Sequence, residues 1–297
     1  MSSDTKTPWP GLALASLGAV AFSGKAIIVK LAYRHGVDAV TLIMLRMLFA
    51  LPLFLLLAWW AGHGRPALTR RDWIAVLGLG FSGYYLASFL DFAGLAYVSA
   101  SFERLILYLN PTLVLFLGWF LFKRRVTGRQ LLALSVSYAG VLLVFGQELH
   151  LQGSHVVLGA ALVFGSAVSY ALYLVYSGEE VKRLGAMRLT GLATTVACIL
   201  CIAQFLLLRP VAGLAALAPQ VWWLSLLNAT ACTFLPVLAV MMAIERIGAT
   251  LAAQTGMIGP MSTILMGVWI LGEPFTSLVA VGTVLVMGGV WLLTRWR

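Results

Sequence analysis

Apolar runs of about twenty residues follow one another along this chain with little between them, and that feature decides the solvent in which it folds. A helix needs roughly 20 apolar residues to cross the hydrocarbon core of a bilayer. Reading the runs between charged or turn-forming breaks predicts ten such helices, over 11–33, 38–61, 72–93, 98–122, 128–146, 156–177, 188–208, 219–243, 248–271 and 276–294. The breaks are short, often under eight residues, which makes neighbouring helices antiparallel and leaves little room for a soluble domain. Composition agrees. Of the residues 61% are apolar and 10% charged, with a mean hydropathy of +0.97, against about 25% charge in a globular domain. The fold class expected is an all-α membrane protein. The opening stretch, MSSDTKTPWPGLALASLG, has no small-residue cleavage site behind a short apolar core, so its apolar run is expected to stay as the first helix.

A net charge of +10 would suggest nucleic acid in a soluble protein. In a bilayer it reads instead as orientation, because basic residues collect on the cytoplasmic side. With the N-terminus inside, the inner segments hold Lys6, Arg65, Arg70, Arg71, Lys123, Arg124, Arg125, Arg129, Lys182, Arg183, Arg188, Arg246, Arg295 and Arg297. The outer loops hold only Arg34 and Arg209. Both termini are therefore expected in the cytoplasm, in a multi-pass protein of a bacterial inner membrane whose partners are the lipid bilayer and a small molecule, with no nucleic acid.

The chain also repeats itself. At an offset of 149, Gly36 faces Gly185, Thr41 faces Thr190, Pro111 faces Pro260, Gly118 faces Gly267, Thr127 faces Thr276, and Gly140-Val141 faces Gly289-Val290. Apolar helices share Gly and Pro by chance, but a constant register across the last two helices of each half argues for duplication. The expected domains are 1–149 and 150–297, with five helices each. Five is odd, so the second half enters the membrane from the opposite side. Such inverted-topology repeats are found in secondary transporters that alternate a central site between two faces.

With these residues in place, the chain resembles the drug/metabolite transporter superfamily in its ten-helix EamA-type branch, over essentially its whole length. The resemblance rests on the five-plus-five repeat and on a proline followed twelve residues later by Gly-Glu, here Pro260 and Gly272-Glu273-Pro274. The run of the sequence looks most like bacterial exporters of aromatic and other neutral amino acids, although no discrete motif marks that narrower likeness. The resemblance implies a secondary transporter that exports amino acids of broad range by alternating access around a central cavity, without a cofactor. The alternative is a transporter or flippase for another small metabolite or a lipid-linked substrate. The first half departs from the pattern, reading Lys123-Arg124 where Gly-Glu would stand, which puts a symmetric role for Glu273 in doubt. Glu273 reads as structural, at a helix end that Gly272 and Pro274 would stop.

Ionisable residues inside a membrane are costly and point to function. Lys25, Lys30, Arg46, Asp91, Glu103 and Arg104 all fall in the outer half of the first repeat, with no counterpart in the second. Two readings compete. Part of the cluster lines an outer vestibule, a cation recognising carboxylate and an acid recognising ammonium; or these residues snorkel and tie helices together. Lys30, Asp91 and Glu103 are read chiefly as structural, whereas Lys25 and Arg46 lie deeper and stay open between the two. Aromatic faces with a few amide and hydroxyl groups suit an amino acid with an apolar side chain. The candidate cavity residues are thus Lys25, Arg46, Tyr84, Tyr85, Tyr108, Asn110, Tyr170, Tyr173, Asn228 and Gln254. Plain helix packing is the competing account of each tyrosine. Pro111 and Pro260 each remove a backbone donor, and serve as hinges, as carbonyl-exposing breaks, or as packing kinks. Trp9, Trp59, Trp60, Trp73, Trp222, Trp223 and Trp296 read as an interfacial belt.

Catalysis finds no support. The four histidines (His35, His63, His150, His155) lie at loops or helix ends, no His-Glu-x-x-His occurs, and Cys198 and Cys201 read as small packing residues. No catalytic residue and no metal is expected. No carboxylate sits at mid-membrane to carry a proton, which favours facilitated movement. Glycine clusters such as Gly78–Gly83 permit close helix contact within one chain or between chains, so a homo-oligomer is compatible with a monomer able to function.

Overall fold

The computed structural model describes residues 9–123, 126–256 and 258–295, and among them every regular element is helical. Eight helices are long and apolar enough to cross a membrane: α1 Trp9–Tyr33, α2 Ala39–Gly62, α3 Arg70–Leu95, α4 Ala100–Leu121, α5 Gly128–Leu151, α6 His155–Gly178, α7 Ala186–Leu208 and α8 Pro219–Ile244. Two shorter apolar helices follow, α9 Ile258–Leu271 and α10 Ser277–Leu293. The stretch expected as one helix over 248–271 is divided. Helical backbone runs on from α8 as far as Thr255, and α9 starts beyond Gly256.

Local chemistry explains where the helices begin. Asp38 caps α2, its Oδ1 accepting from the N–H groups of Val40 and Thr41. Thr69 with Asp72 and Thr127 with Gln130 form reciprocal capping boxes at the starts of α3 and α5. Several pairs of the sequence repeat have matching physical roles. Thr127 Oγ1 accepts from Gln130 N–H at 3.3 Å, and Thr276 Oγ1 accepts from Val279 N–H at 3.3 Å, so both cap the last helix of their half. Gly36 and Gly185 both turn the chain in the left-handed region, at φ 76° and 84°. The carbonyls of Gly118 and Gly267 both accept the closing N–H of a helix end, from Lys123 and Gly272. Lys123 therefore takes the left-handed position in the first half, at φ 53°, that Gly272 takes in the second.

The packing maps onto itself when the halves are exchanged. α2 packs on α7 and α5 packs on α10, each against its own repeat partner. α1 packs on α8 and α9, while its partner α6 packs on α3 and α4. The α5–α10 seam is close enough to require glycine. A Cβ on Gly140 would lie 2.6 Å from the Gly282 carbonyl, and one on Gly289 would lie 2.7 Å from that of Ala133. The largest apolar cluster fills the space between α1, α2, α7 and α8, around Ile43, Met47, Phe54, Cys198 and Phe205. The outward faces are apolar too, with Leu207, Trp223 and Trp269 among the most exposed side chains, as a lipid-facing surface requires. Trp9, Trp59, Trp60 and Trp73 are exposed near helix ends, whereas Trp222 turns inward against Phe49 with ring centroids 6.4 Å apart; Trp296 lies outside the described residues.

The end of α9 is tied to the start of α4. Glu273 Oε1 accepts from Ala100 N–H at 2.7 Å, and Oε2 accepts from Ser101 N–H at 3.1 Å and from its hydroxyl at 2.6 Å. A carboxylate is thereby placed on the exposed donors of a helix N-terminus. Glu148 on α5 approaches the same terminus and accepts from the Ser99 hydroxyl. Glu273→Ala is expected to cost about 1.5–3 kcal/mol, the loss of hydrogen bonds to a charged group. Thermal unfolding in detergent tests this, and an unchanged midpoint would show that water replaces the carboxylate without loss.

Candidate functional site

The scattered charges of the first repeat converge. Lys25 on α1 places Nζ 2.5 Å from Asp91 Oδ2 on α3 and 3.7 Å from Glu103 Oε1 on α4. Asp91 is 2% exposed and Glu103 is 0% exposed. The two carboxyl side chains also lie within hydrogen-bonding reach of one another. Asp91 Oδ1 and both Glu103 oxygens nonetheless have no hydrogen-bond donor. Arg104, one residue on, bonds Ser23 Oγ at 3.0 Å and lies over the Phe22 ring at 5.5 Å. Asp91 and Glu103, read from sequence as chiefly structural, are thus the acid side of a buried cluster spanning three helices. Lys30 is set apart from it, with Nζ donating to the carbonyls of Leu95 and Val98 at 3.1 and 2.9 Å, where α3 ends.

Arg46 lies beside this cluster. It is 6% exposed, and its guanidinium sits 5.1 Å from the centroid of the Phe92 ring. Its Nε and Nη1 are buried without a hydrogen-bond partner. Asp91 and the thiols of Cys198, Cys201 and Cys232 are the titratable groups nearest to it. Asn228 on α8 is 1% exposed with both amide atoms unpartnered, and Ser225 Oγ on the same helix is unpartnered too. Buried polar groups are normally satisfied, so this interior carries unfilled hydrogen-bonding capacity of both kinds.

The tyrosines form a second group. The Tyr84 and Tyr173 hydroxyls are 3.1 Å apart, their rings are edge-on at 5.1 Å, and Tyr170 stacks on Tyr173 at 5.5 Å. Thr190 on α7 lies within hydrogen-bonding reach of both Tyr84 and Tyr173. Tyr85 is half-buried on another face, against Phe81 and the main apolar cluster. Adjacent helical residues point about 100° apart, so these two candidates face different sites, and α3 also changes pitch here. Residues Gly80–Leu86 form a π-helix, and Thr230–Phe234 form one at the matching place in α8. Wide turns of this kind are found at functional positions, and no residue pattern marks them in the sequence.

The remaining candidates are dispersed. Tyr108 packs on the α4–α5–α10 cluster, and Asn110 Nδ2 caps the Leu107 carbonyl at 2.7 Å while its Oδ1 is unpartnered. The Gln254 side chain lies outside the described residues. Pro111 and Pro260 both sit in the first turn of a helical segment, where a missing N–H is tolerated. Both helices are therefore broken ahead of the proline, at residues 108–109 and near Gly256. The freed carbonyls are taken locally, Leu107 by the Asn110 side chain and Gly256 by the Gly259 N–H at 3.0 Å, while Ser23 Oγ of α1 donates to the Gly259 carbonyl at 2.8 Å. At the end assigned to the outside by the charge distribution, a cavity of about 500 Å³ opens between Lys30, Tyr33, Arg34, Ser99, Glu148 and Glu273. Arg34, Glu148 and Glu273 were not foreseen as lining groups, since each looks like an ordinary helix-end charge.

At the opposite end, Arg183 pairs with Asp72 and Glu180, and Arg188 donates to the Pro66 carbonyl at 3.0 Å. Polar contacts thus link neighbouring helices at both ends of the bundle.

One family model covers both halves of the chain. The model described as "EamA-like transporter family" matches twice, over residues 9–146 and 157–295. The chain is 31% identical over 291 residues to "Uncharacterized transporter YcbK" of Bacillus subtilis (strain 168), covering 93% of this chain and 89% of that protein. An "Uncharacterized transporter" of Archaeoglobus fulgidus is 24% identical, with 95% and 96% covered. A solved crystal structure superimposes with a TM-score of 0.63 at 17% identity, covering 96% of each chain, which speaks for the fold alone.

Proposed function

This chain belongs to the EamA-like transporter family, and from that premise we propose that it exports neutral amino acids, aromatic ones included, across a bacterial inner membrane. Membrane transport is the shared property of its relatives. The substrate class is carried by one observation, the buried Arg46 guanidinium with unpartnered Nε and Nη1 within electrostatic range of Asp91, the acid that shares Lys25 with Glu103. A zwitterion complements that arrangement. Its carboxylate fills the Arg46 donors in a charge-assisted pair, its ammonium meets the carboxyl groups, and an apolar side chain is accepted by Phe92 and the surrounding aliphatic wall. Ten membrane crossings arranged as two inverted halves supply the alternating access, with α9 and α10 completing the set begun by the eight longer helices.

Purified protein in liposomes with labelled phenylalanine provides the test. Saturable flux, competed by other neutral amino acids and not by simple amines or simple carboxylates, is expected. Flux absent above empty liposomes would discard the amino-acid reading and favour the alternative, another metabolite or a lipid-linked substrate carrying an anionic group for Arg46.

A further inference from the structure

We propose that Glu103 is an exchangeable proton site that couples transport to the proton gradient, one proton moving against one zwitterion. The inference rests on the amino-acid reading of the same cluster and adds its energy source. Sequence alone favours facilitated movement, because Asp91 and Glu103 lie near helix ends. The structure encloses them instead. The largest charges acting on Glu103 are those of Asp91 from α3, Lys25 from α1 and Arg104 from its own helix, with Arg46 of α2 beyond Asp91. Tyr33 closes the α1 side, donating to the Phe92 carbonyl at 2.5 Å.

Three facts of geometry point to a proton. Glu103 is fully buried, where an ionised carboxylate without donors is costly. Its two oxygens and Asp91 Oδ1 have no donor, although the two acids lie within hydrogen-bonding reach. Lys25 favours Asp91, at 2.5 Å against 3.7 Å to Glu103. One proton completes the set. Bound to a Glu103 oxygen, it forms the O–H that donates to Asp91, leaving one ammonium, one carboxylate and one neutral acid. When a substrate ammonium reaches the cluster it takes Glu103 as the carboxylate. The O–H bond breaks, and the proton leaves to the water of whichever face is open. Proton and ammonium compete for one group, so they exchange rather than travel together.

The first arm of the test is accumulation. The exchange moves one net charge, so equal potassium and valinomycin hold the membrane potential at zero. In proteoliposomes whose interior is one pH unit more acidic than the medium, labelled phenylalanine is expected to accumulate about tenfold, the gradient of one proton converted at one-to-one exchange. Glu103→Gln keeps the donor to Asp91 in a neutral side chain. It should therefore fold, but with neither a carboxylate for the substrate ammonium nor an exchangeable proton, phenylalanine flux is expected to slow and accumulation to be lost. Wild-type flux that only equilibrates, or a Glu103→Gln variant that still accumulates, overturns the coupling and leaves the substrate reading intact. The second arm needs no substrate. Infrared difference spectra of the purified protein between acidic and alkaline buffer should show a protonated carboxyl band that Glu103→Gln removes. Its absence in the wild type refutes the proton site whether or not phenylalanine is moved.

Discussion

Replacing Lys25 by methionine is expected to lower folding stability by about 3–5 kcal/mol, the usual consequence of removing one partner from a buried ion pair. Methionine fills the space of the lysine stem, so the loss isolates the ammonium. Without it, Asp91 and Glu103 face each other at 2% and 0% exposure with nothing opposite but Arg104 and the more distant Arg46. The double variant Lys25→Met with Asp91→Asn should recover a large part of the deficit, because the orphaned charge is then gone. The deficit of the single variant should narrow in acidic buffer, where protons neutralise the acids that Lys25 no longer balances. Chemical unfolding in detergent micelles gives the comparison. A single variant as stable as the parent would mean that the cluster is open to water, and the account of a closed site would fall with it.

The architecture was readable before the structure because its signals are local or periodic. Apolar runs of membrane length need no partner to be recognised, and the 149-residue offset aligned residues that do one job twice: Thr127 and Thr276 as caps, Gly36 and Gly185 as left-handed turns. Where a residue's role depends on a distant partner, the sequence was silent. Lys25 meets Asp91 across 66 positions, and Glu273 meets Ala100 across 173. Depth along a helix could be estimated for Asp91 and Glu103, but enclosure by neighbouring helices could not. Tyr84 and Tyr85 were both candidates for the cavity as aromatics crowded on one helix, but adjacent helical residues point about 100° apart, and only Tyr84 joins Tyr170 and Tyr173. The prolines were legible as breaks, yet which donors take the freed carbonyls was not, the Asn110 side chain for Leu107 and the Gly259 N–H for Gly256.

Arg46→Ala should abolish the larger part of transport, lowering the specificity constant for phenylalanine by about 30-fold or more, the equivalent of 2 kcal/mol or above for truncating one side of a buried charged contact. Arg46→Lys separates recognition from mere charge. A lysine keeps the positive charge but offers a compact ammonium in place of a planar fork. If Arg46 binds a carboxylate, lysine should restore binding in part and raise KM far more than it lowers the maximal rate. If Arg46 serves only to pack against Phe92, both variants should act through stability, with transport per folded molecule unchanged. Competition adds an internal control, since an amine lacking the carboxylate should compete as poorly against the parent as against Arg46→Ala. The buried guanidinium has two unpartnered N–H positions and is surrounded by side chains rather than by water. A packing role alone leaves that unmet donor capacity as a standing cost, whereas a carboxylate that binds and departs in each cycle meets it only when the transporter is loaded.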